Sequence, residues 1–271
     1  MTKSVLTESF NINENVKKRI KDAVSEGIRD FQRSRECSTG FKEPVIGYVS
    51  AKHPLFMKYL GEDICLHPKA IYRPGNTVII HFVPFERKTA ESNRGGKEPS
   101  PEWTKAFYDS MHLSMKLNGI ICETLDEVGR LHSGTNIPTD WNEEKCREEW
   151  SHKLAAYAAG MGRFGIAGSF HTELGFAGRL GSILVDEHYA SFEEKDLKMW
   201  DMEQVISHIK TDSKYKGAED IRVSRQAIEA CPGGAISKDG IDRKLCQARC
   251  RQINDMIPSP EVCGKCFFYD R

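Results

Sequence analysis

The spacing of hydrophobic residues predicts a helix near the N-terminus, followed by two strands. Apolar residues recur every three or four positions over 12–34, which is the period of an amphipathic helix. Residues 44–50 and 77–83 are short apolar runs, and the second is rich in β-branched residues, which favours strands. The polar stretch 86–101 is rich in glycine, proline and lysine, and it predicts an exposed loop.

The second half of the pattern predicts further helices and one buried strand. Helices are expected over 102–127, from near Asp140 to residue 159, and over the polar segment 192–215, with a loop over 129–140 and a strand over 182–186. Gly160 stands where a left-handed residue commonly ends a helix. The order helix, strand, strand, helix, helix, strand predicts a layered α/β fold.

The distribution of cysteines predicts a second, smaller unit. The chain has nine cysteines among 271 residues, and five of them lie at 231 or beyond. An odd number, with no apolar signal segment at the N-terminus, indicates thiols or metal ligands in a reducing cytoplasm. We therefore expect an α/β domain over 1–215 and a Cys-rich module over 216–271.

The cysteine spacing predicts one iron–sulfur cluster where a two-cluster module would hold two. Cys231-Pro232 matches the end of the ferredoxin run C-x2-C-x2-C-x3-C-P, whose last cysteine binds the other cluster. The other cluster-ligand positions of this arrangement are occupied by different residues, namely Ile221, Ser224, Ala227 and Asp270. One cluster has thus lost all four of its ligands.

Four cysteines remain for a single [4Fe–4S] cluster, and they are Cys231, Cys246, Cys263 and Cys266. Cys250 lies one helical turn after Cys246 and is the alternative to it. A zinc site stays open as the other interpretation, because zinc also binds four thiolates. The single C-x2-C pair and the Cys-Pro dipeptide favour iron and sulfide.

The composition argues against nucleic-acid and membrane partners. Thirty-nine basic residues balance 39 acidic ones, so no basic face for nucleic acid is predicted. No apolar run approaches the roughly 18–20 residues of a membrane span. We expect a cytoplasmic protein without membrane or nucleic-acid partners.

A glycine-rich segment follows the helix that ends at residue 159. Gly160, Gly162 and Gly165 match G-x-G-x-x-G, but a dinucleotide fingerprint must follow a strand. We interpret the segment as an extended loop whose backbone lies close to something flat or bulky.

This segment resembles part of a known family. Residues 153–166 are similar to the K-x-A-x-x-A-G-L-G-x-x-G segment of epoxyqueuosine reductases and reductive dehalogenases, and 178–186 are similar to the strand that follows it. The resemblance also includes 67–71, 74–80 and 230–236. It implies a layered α/β domain of the corrinoid-binding type, joined to a small ferredoxin-like iron–sulfur module.

By position, the resemblance implies a set of cofactor-binding residues: Lys153, Gly160, Gly162, Arg163, Phe164, Gly165, Ile166 and Ser182. Asp109 and His112 are the candidate proton donors, although the family's Asp-Tyr-His string aligns poorly there. The family's tRNA-binding helical extension has no counterpart after the cysteines, so a small molecule or corrinoid is the expected substrate. A low-potential ferredoxin or flavodoxin would supply electrons.

Three functions stay open on the sequence. The first is an oxidoreductase similar to epoxyqueuosine reductase, in which one [4Fe–4S] cluster passes single electrons to base-off cobalamin to reduce an unidentified substrate. The second is an electron-transfer or corrinoid-carrying protein without a substrate of its own. The third is a relative that keeps the cluster and binds no cobalamin.

Overall fold

The fold is mixed α/β, as the sequence pattern predicts. A computed structural model describes residues 3–34, 37–56, 65–135, 137, 141–142, 144, 147–165, 169–190, 225–238, 240–256 and 263–269. The helices are α1 (Lys3–Arg33), α2 (Pro68–Ile71), α3 (Arg87–Ser92), α4 (Pro101–Asp126), α5 (His152–Ala158), α6 (Arg225–Ala230) and α7 (Arg243–Met256), with a 3₁₀ helix at Lys265–Tyr269. The strands are β1 (Val45–Ser50), β2 (Thr77–Pro84), β3 (Trp141–Asn142), β4 (Arg147–Glu148), β5 (Gly162–Phe164), β6 (Phe170–Thr172), β7 (Gly178–Val185), β8 (Ile236–Ser237) and β9 (Gly240–Ile241).

A three-stranded antiparallel sheet, in the order β1-β2-β7, lies at the centre. All eight residues of β2 are buried, because the strand has neighbours on both edges and helices on both faces. Side chains alternate across the sheet. Ile79 and Val83 therefore pack with α1 and α4, whereas Val78 and Ile80 pack with α5 on the other face.

The amphipathic N-terminal helix is confirmed. Val16, Ile20, Val24 and Ile28 are all buried, and they pack in the cluster that α4 shares with the sheet. The helix begins at Lys3, before the first residue of the predicted range. The expected strands 44–50, 77–83 and 182–186 are confirmed as β1, β2 and the end of β7.

Two local predictions are wrong. The stretch 86–101 contains the short helix α3, and the helix predicted from near Asp140 is preceded by the hairpin β3–β4. Helix α5 starts only at His152, where the Ser151 side chain accepts a hydrogen bond from the Leu154 amide at 3.3 Å. Its predicted end is confirmed, since Gly160 has φ of +71° directly after the helix.

Other predictions fall partly outside the described residues. The helix expected over 192–215 lies entirely outside them, and so does the proposed domain boundary between 215 and 216. The described part of 129–140 is a loop, with one isolated bridge between His132 and Val185. Within the described ranges, every helix is too short or too polar to cross a lipid bilayer.

The Cys-rich module is anchored to the segment before α4. Asn93 Nδ2 donates to the Cys263 carbonyl at 2.9 Å, and the buried Lys265 Nζ donates to the carbonyls of Asn93 (3.0 Å) and Gly95 (2.7 Å). Gly264, with φ of +57°, lies so close to Trp103 that an added Cβ would be 2.6 Å from the indole. The C-x2-C pair is therefore fixed in place by contacts with the segment before α4 and with Trp103.

Candidate iron–sulfur site

Cys231 lies in a tight turn between α6 and β8. Its Sγ accepts a hydrogen bond from the Ala235 amide at 3.2 Å. Gly234 has φ of +62°, a conformation that favours glycine and allows the chain to fold back over the sulfur. Amide donors of this kind stabilise a thiolate, the form in which cysteine binds a metal.

Cys263 has cysteine neighbours from two other segments. Burial is the main reason that the pKa of its thiol is raised; the Lys265 amide opposes this, and the charges of Cys246 and Cys231 raise it further. These two neighbours come from α7 and from the turn after α6. Thiols that raise one another's pKa need a cation before they can all be thiolates, and a metal centre supplies one.

The remaining cysteines of the module lie close by in sequence. Cys266 is in the 3₁₀ helix, three residues after Cys263, and Cys250 is one turn of α7 after Cys246. No disulfide joins the eight cysteines for which the structure gives a position. In those parts of the chain, three or more His, Cys, Asp or Glu side chains are nowhere arranged as ligands of a metal ion.

The positive charge of Arg249 acts on this group of cysteines. The Arg249 side chain is only 13% exposed, and its Nη2 donates to Glu98 Oε2 at 2.7 Å. The same guanidinium lowers the pKa of the Cys263 thiol, though by less than the opposing causes raise it. The Nε atom of Arg249 is buried without a hydrogen-bond partner. A thiolate-bound cluster, being negatively charged, fits this set of donors.

Aromatic side chains connect the module to the glycine-rich segment. Phe267 and Phe268 pack edge-on against Phe176, with ring centroids 6.1 and 5.0 Å away. The Phe176 ring lies 5.4 Å from that of His171, in strand β6. The hairpin β5–β6 is therefore only one aromatic side chain away from the end of the cysteine module.

The hairpin itself explains part of the glycine pattern. A Cβ on Gly162 would lie 2.1 Å from the His171 carbonyl oxygen, so the hairpin excludes any larger residue. The Gly165 amide donates to the Ser169 carbonyl at 2.9 Å, and the Phe164 ring packs against Phe170. These three predicted cofactor residues are engaged within the hairpin.

The other predicted cofactor residues are scattered. Lys153, Gly160 and Arg163 are exposed, and Ile166 lies outside the described residues. Ser182 is fully buried; its Oγ accepts from Trp150 Nε1 at 3.1 Å and lies 2.9 Å from His152 Nδ1. The structure brings residues 160–165 together but leaves Ser182 inside the core.

Asp109 is an anchor for the loop after α1. Its carboxylate accepts hydrogen bonds from the Thr39 hydroxyl, the Thr39 amide at 3.1 Å and the Ser38 amide at 3.3 Å, and it pairs with Lys105 Nζ at 3.0 Å. Desolvation raises its pKa, but the bonds from Thr39, Lys105 and Ser38 outweigh that and leave the pKa lowered. His112, the other predicted proton donor, is exposed on α4.

These contacts predict that Asp109→Ala destabilises the fold. The buried Thr39 hydroxyl and two amides would lose their acceptor, so we expect a loss of about 2 kcal/mol in the free energy of unfolding. Urea denaturation measures it, with Glu123→Ala, an exposed change on the same helix, as a control expected within about 0.5 kcal/mol of wild type. Unchanged stability together with lost redox activity would favour the catalytic role.

Two histidines with lowered pKa values, His81 and His152, were not predicted as functional. Burial lowers the pKa of His81 to about 4, and His81 Nε2 lies 2.9 Å from Asn118 Oδ1. Burial, then the charges of His81 and Arg179, lower the pKa of His152 to about 3. The signal in the sequence is a histidine inside the apolar run 77–84, where each side chain is buried.

Comparison with known proteins gives likeness at low identity. No protein-family model matches the chain. No curated protein matches it either. An epoxyqueuosine reductase structure from Streptococcus thermophilus matches at 14% identity and a TM-score of 0.46, over 89% of this chain and 64% of that one.

Two further structures are similar to the same extent. The Bacillus subtilis epoxyqueuosine reductase matches at 13% identity and a TM-score of 0.47 over 93% of this chain. A selenomethionine-labelled epoxyqueuosine reductase matches at 12% identity and a TM-score of 0.45 over 90% of this chain. This chain spans 64% of the length of each. A likeness this distant carries no argument about activity.

Proposed function

We propose that the protein is a one-electron redox protein that holds a single [4Fe–4S] cluster through Cys231, Cys246, Cys263 and Cys266. The observation that carries the proposal is that the charges of Cys231, in the turn after α6, and of Cys246, on α7, both act on the half-buried Cys263 thiol. Four thiolates complete the ligand set of such a cluster.

The surroundings of the thiols support iron and sulfide as the occupant. The Ala235 amide donates to Cys231 Sγ, and the Lys265 amide donates to Cys263. Donors to cysteine sulfur and a nearby cation, here Arg249, stabilise a negatively charged cluster and tune its potential. Cys246, whose charge acts on Cys263, stays the proposed ligand on α7, with Cys250 as the alternative.

The aromatic contacts support a direction for electron transfer. Phe267 follows the ligand Cys266 directly, and its ring meets Phe176, which in turn packs on His171 of the hairpin. An electron acceptor bound beside the hairpin would lie close to the cluster. A ferredoxin or flavodoxin would supply electrons from the other side, and a small molecule or corrinoid would receive them.

The finer proposal, that the acceptor is base-off cobalamin, comes from the sequence resemblance. When bound, cobalamin supplies a cobalt centre that takes single electrons. One member of the predicted binding set does not fit, because the Ser182 side chain is fully buried and engaged by Trp150 and His152. Electron transfer without cobalamin is therefore the alternative function.

Metal analysis of anaerobically purified protein tests the proposal. After reconstitution with iron and sulfide, we expect about four irons and four sulfides per chain, with a visible shoulder that dithionite bleaches. Protein that binds zinc and no iron would overturn it. Incubation with hydroxocobalamin and desalting separates the two functions, since a retained corrinoid favours the reductase and its loss favours electron transfer.

A further inference from the structure

Arg249 lies on α7, three residues after Cys246, and packs against the turn that carries another ligand. A Cβ built on Gly233 would lie 2.7 Å from the Cβ of Arg249 and 3.1 Å from its Cγ. Gly233 belongs to the turn that follows Cys231. The aliphatic part of Arg249 therefore holds together the chain segments of two proposed cluster ligands.

The Arg249 guanidinium is held by hydrogen bonds at Nη2, whereas its Nε–H donor has no acceptor. Nη2 donates to Glu98 Oε2 at 2.7 Å and to the Lys97 carbonyl at 3.2 Å. Nε is buried and has no hydrogen-bond partner. A buried N–H without an acceptor is unfavourable and rare in native proteins, so it indicates a missing acceptor. The Cys263 sulfur lies within reach of the guanidinium charge.

We infer that Arg249 raises the reduction potential of the cluster, with its buried Nε–H free to donate to it and its Nη2 held by Glu98. The inference rests on the proposed function. A cluster with four thiolates is negatively charged, and the added electron makes it more negative. A buried positive charge beside it therefore stabilises the reduced state more than the oxidised state.

The test is the midpoint potential of the reconstituted protein, from a dye-mediated titration followed by electron paramagnetic resonance. For Arg249→Gln, we expect about a tenfold lower ratio of reduced to oxidised cluster at a fixed potential, or about 59 mV for one electron. Arg249→Lys keeps the charge and should shift the potential less. The matched control is Arg251→Gln, an exposed change on the same helix. Its shift should stay below about twofold because solvent screens it.

A second variant covers the case in which Arg249→Gln loses iron. Glu98→Gln removes the negative charge that pairs with the guanidinium. The midpoint potential of the cluster should therefore rise in this variant, whereas it should fall in Arg249→Gln. Equal shifts in Arg249→Gln and Arg251→Gln, or a fall in Glu98→Gln, would overturn the inference alone. Wild-type protein without iron would overturn the proposed function instead.

Discussion

Cys263→Ser is expected to abolish the cluster, with iron falling from about four per chain to below one. The charges of Cys231 and Cys246 act on the Cys263 thiol, and the segment that carries it is fixed by Asn93 and Lys265. Serine is close to cysteine in size, so a loss of iron reports the missing sulfur rather than altered packing. Iron and sulfide assays on protein reconstituted in parallel measure the effect.

The two cysteines of α7 provide a comparison within the same helix. Cys246→Ser should lose the cluster as Cys263→Ser does, whereas Cys250→Ser should keep about four irons per chain. The reason is that the charge of Cys246 acts on Cys263, which places the two thiols near each other. The reverse result would assign the ligand to Cys250. Full iron content in all three variants would contradict the ligand set.

The second large effect is a loss of stability in mild acid. His81 is fully buried in β2, and its pKa is lowered from an ordinary value near 6.5 to about 4. Between these values the unfolded chain binds a proton that the folded chain does not. The stability that neutral His81 contributes to the fold is therefore complete above about pH 6.5, and it falls as the pH drops towards 4. From His81 alone, we expect a loss of about 2 kcal/mol at pH 5 relative to pH 8.

Urea unfolding of wild type and His81→Asn at pH 8 and pH 5 measures this effect. The variant is expected to be less stable at pH 8, because it repacks the core, but its stability should fall less between the two values. His112→Asn, which changes an exposed histidine, serves as the control and should follow wild type. Acid sensitivity of the cluster is common to all three proteins. Equal pH dependence in wild type and His81→Asn would rule out this role for His81.

Several elements were predictable because their signals are local. The apolar period of α1, the β-branched run of β2 and the glycine that ends α5 each lie within one segment, and the structure confirms them. The cysteine spacing likewise predicts one ligand set, which stays a prediction until iron is measured. Patterns of this kind depend on backbone geometry and on few neighbours.

Other features depend on residues far apart in the chain, and the sequence alone did not determine them. Asp109, the predicted proton donor, accepts a hydrogen bond from Thr39, 70 positions away, and the sequence does not show this contact. Ser182 looked like a cofactor residue, but Trp150 and His152 engage it in the core.

The tertiary structure also brings the charge of Cys246 to act on Cys263 and pairs Arg249 with Glu98. A repeat of four residues on a helix leaves both cysteines equally placed until the helix packs against its neighbours. The sequence by itself determined the residue types of the proposed site. Packing of distant segments determined which of them meet, because hydrogen bonds, burial and charge act between neighbours in space rather than in sequence.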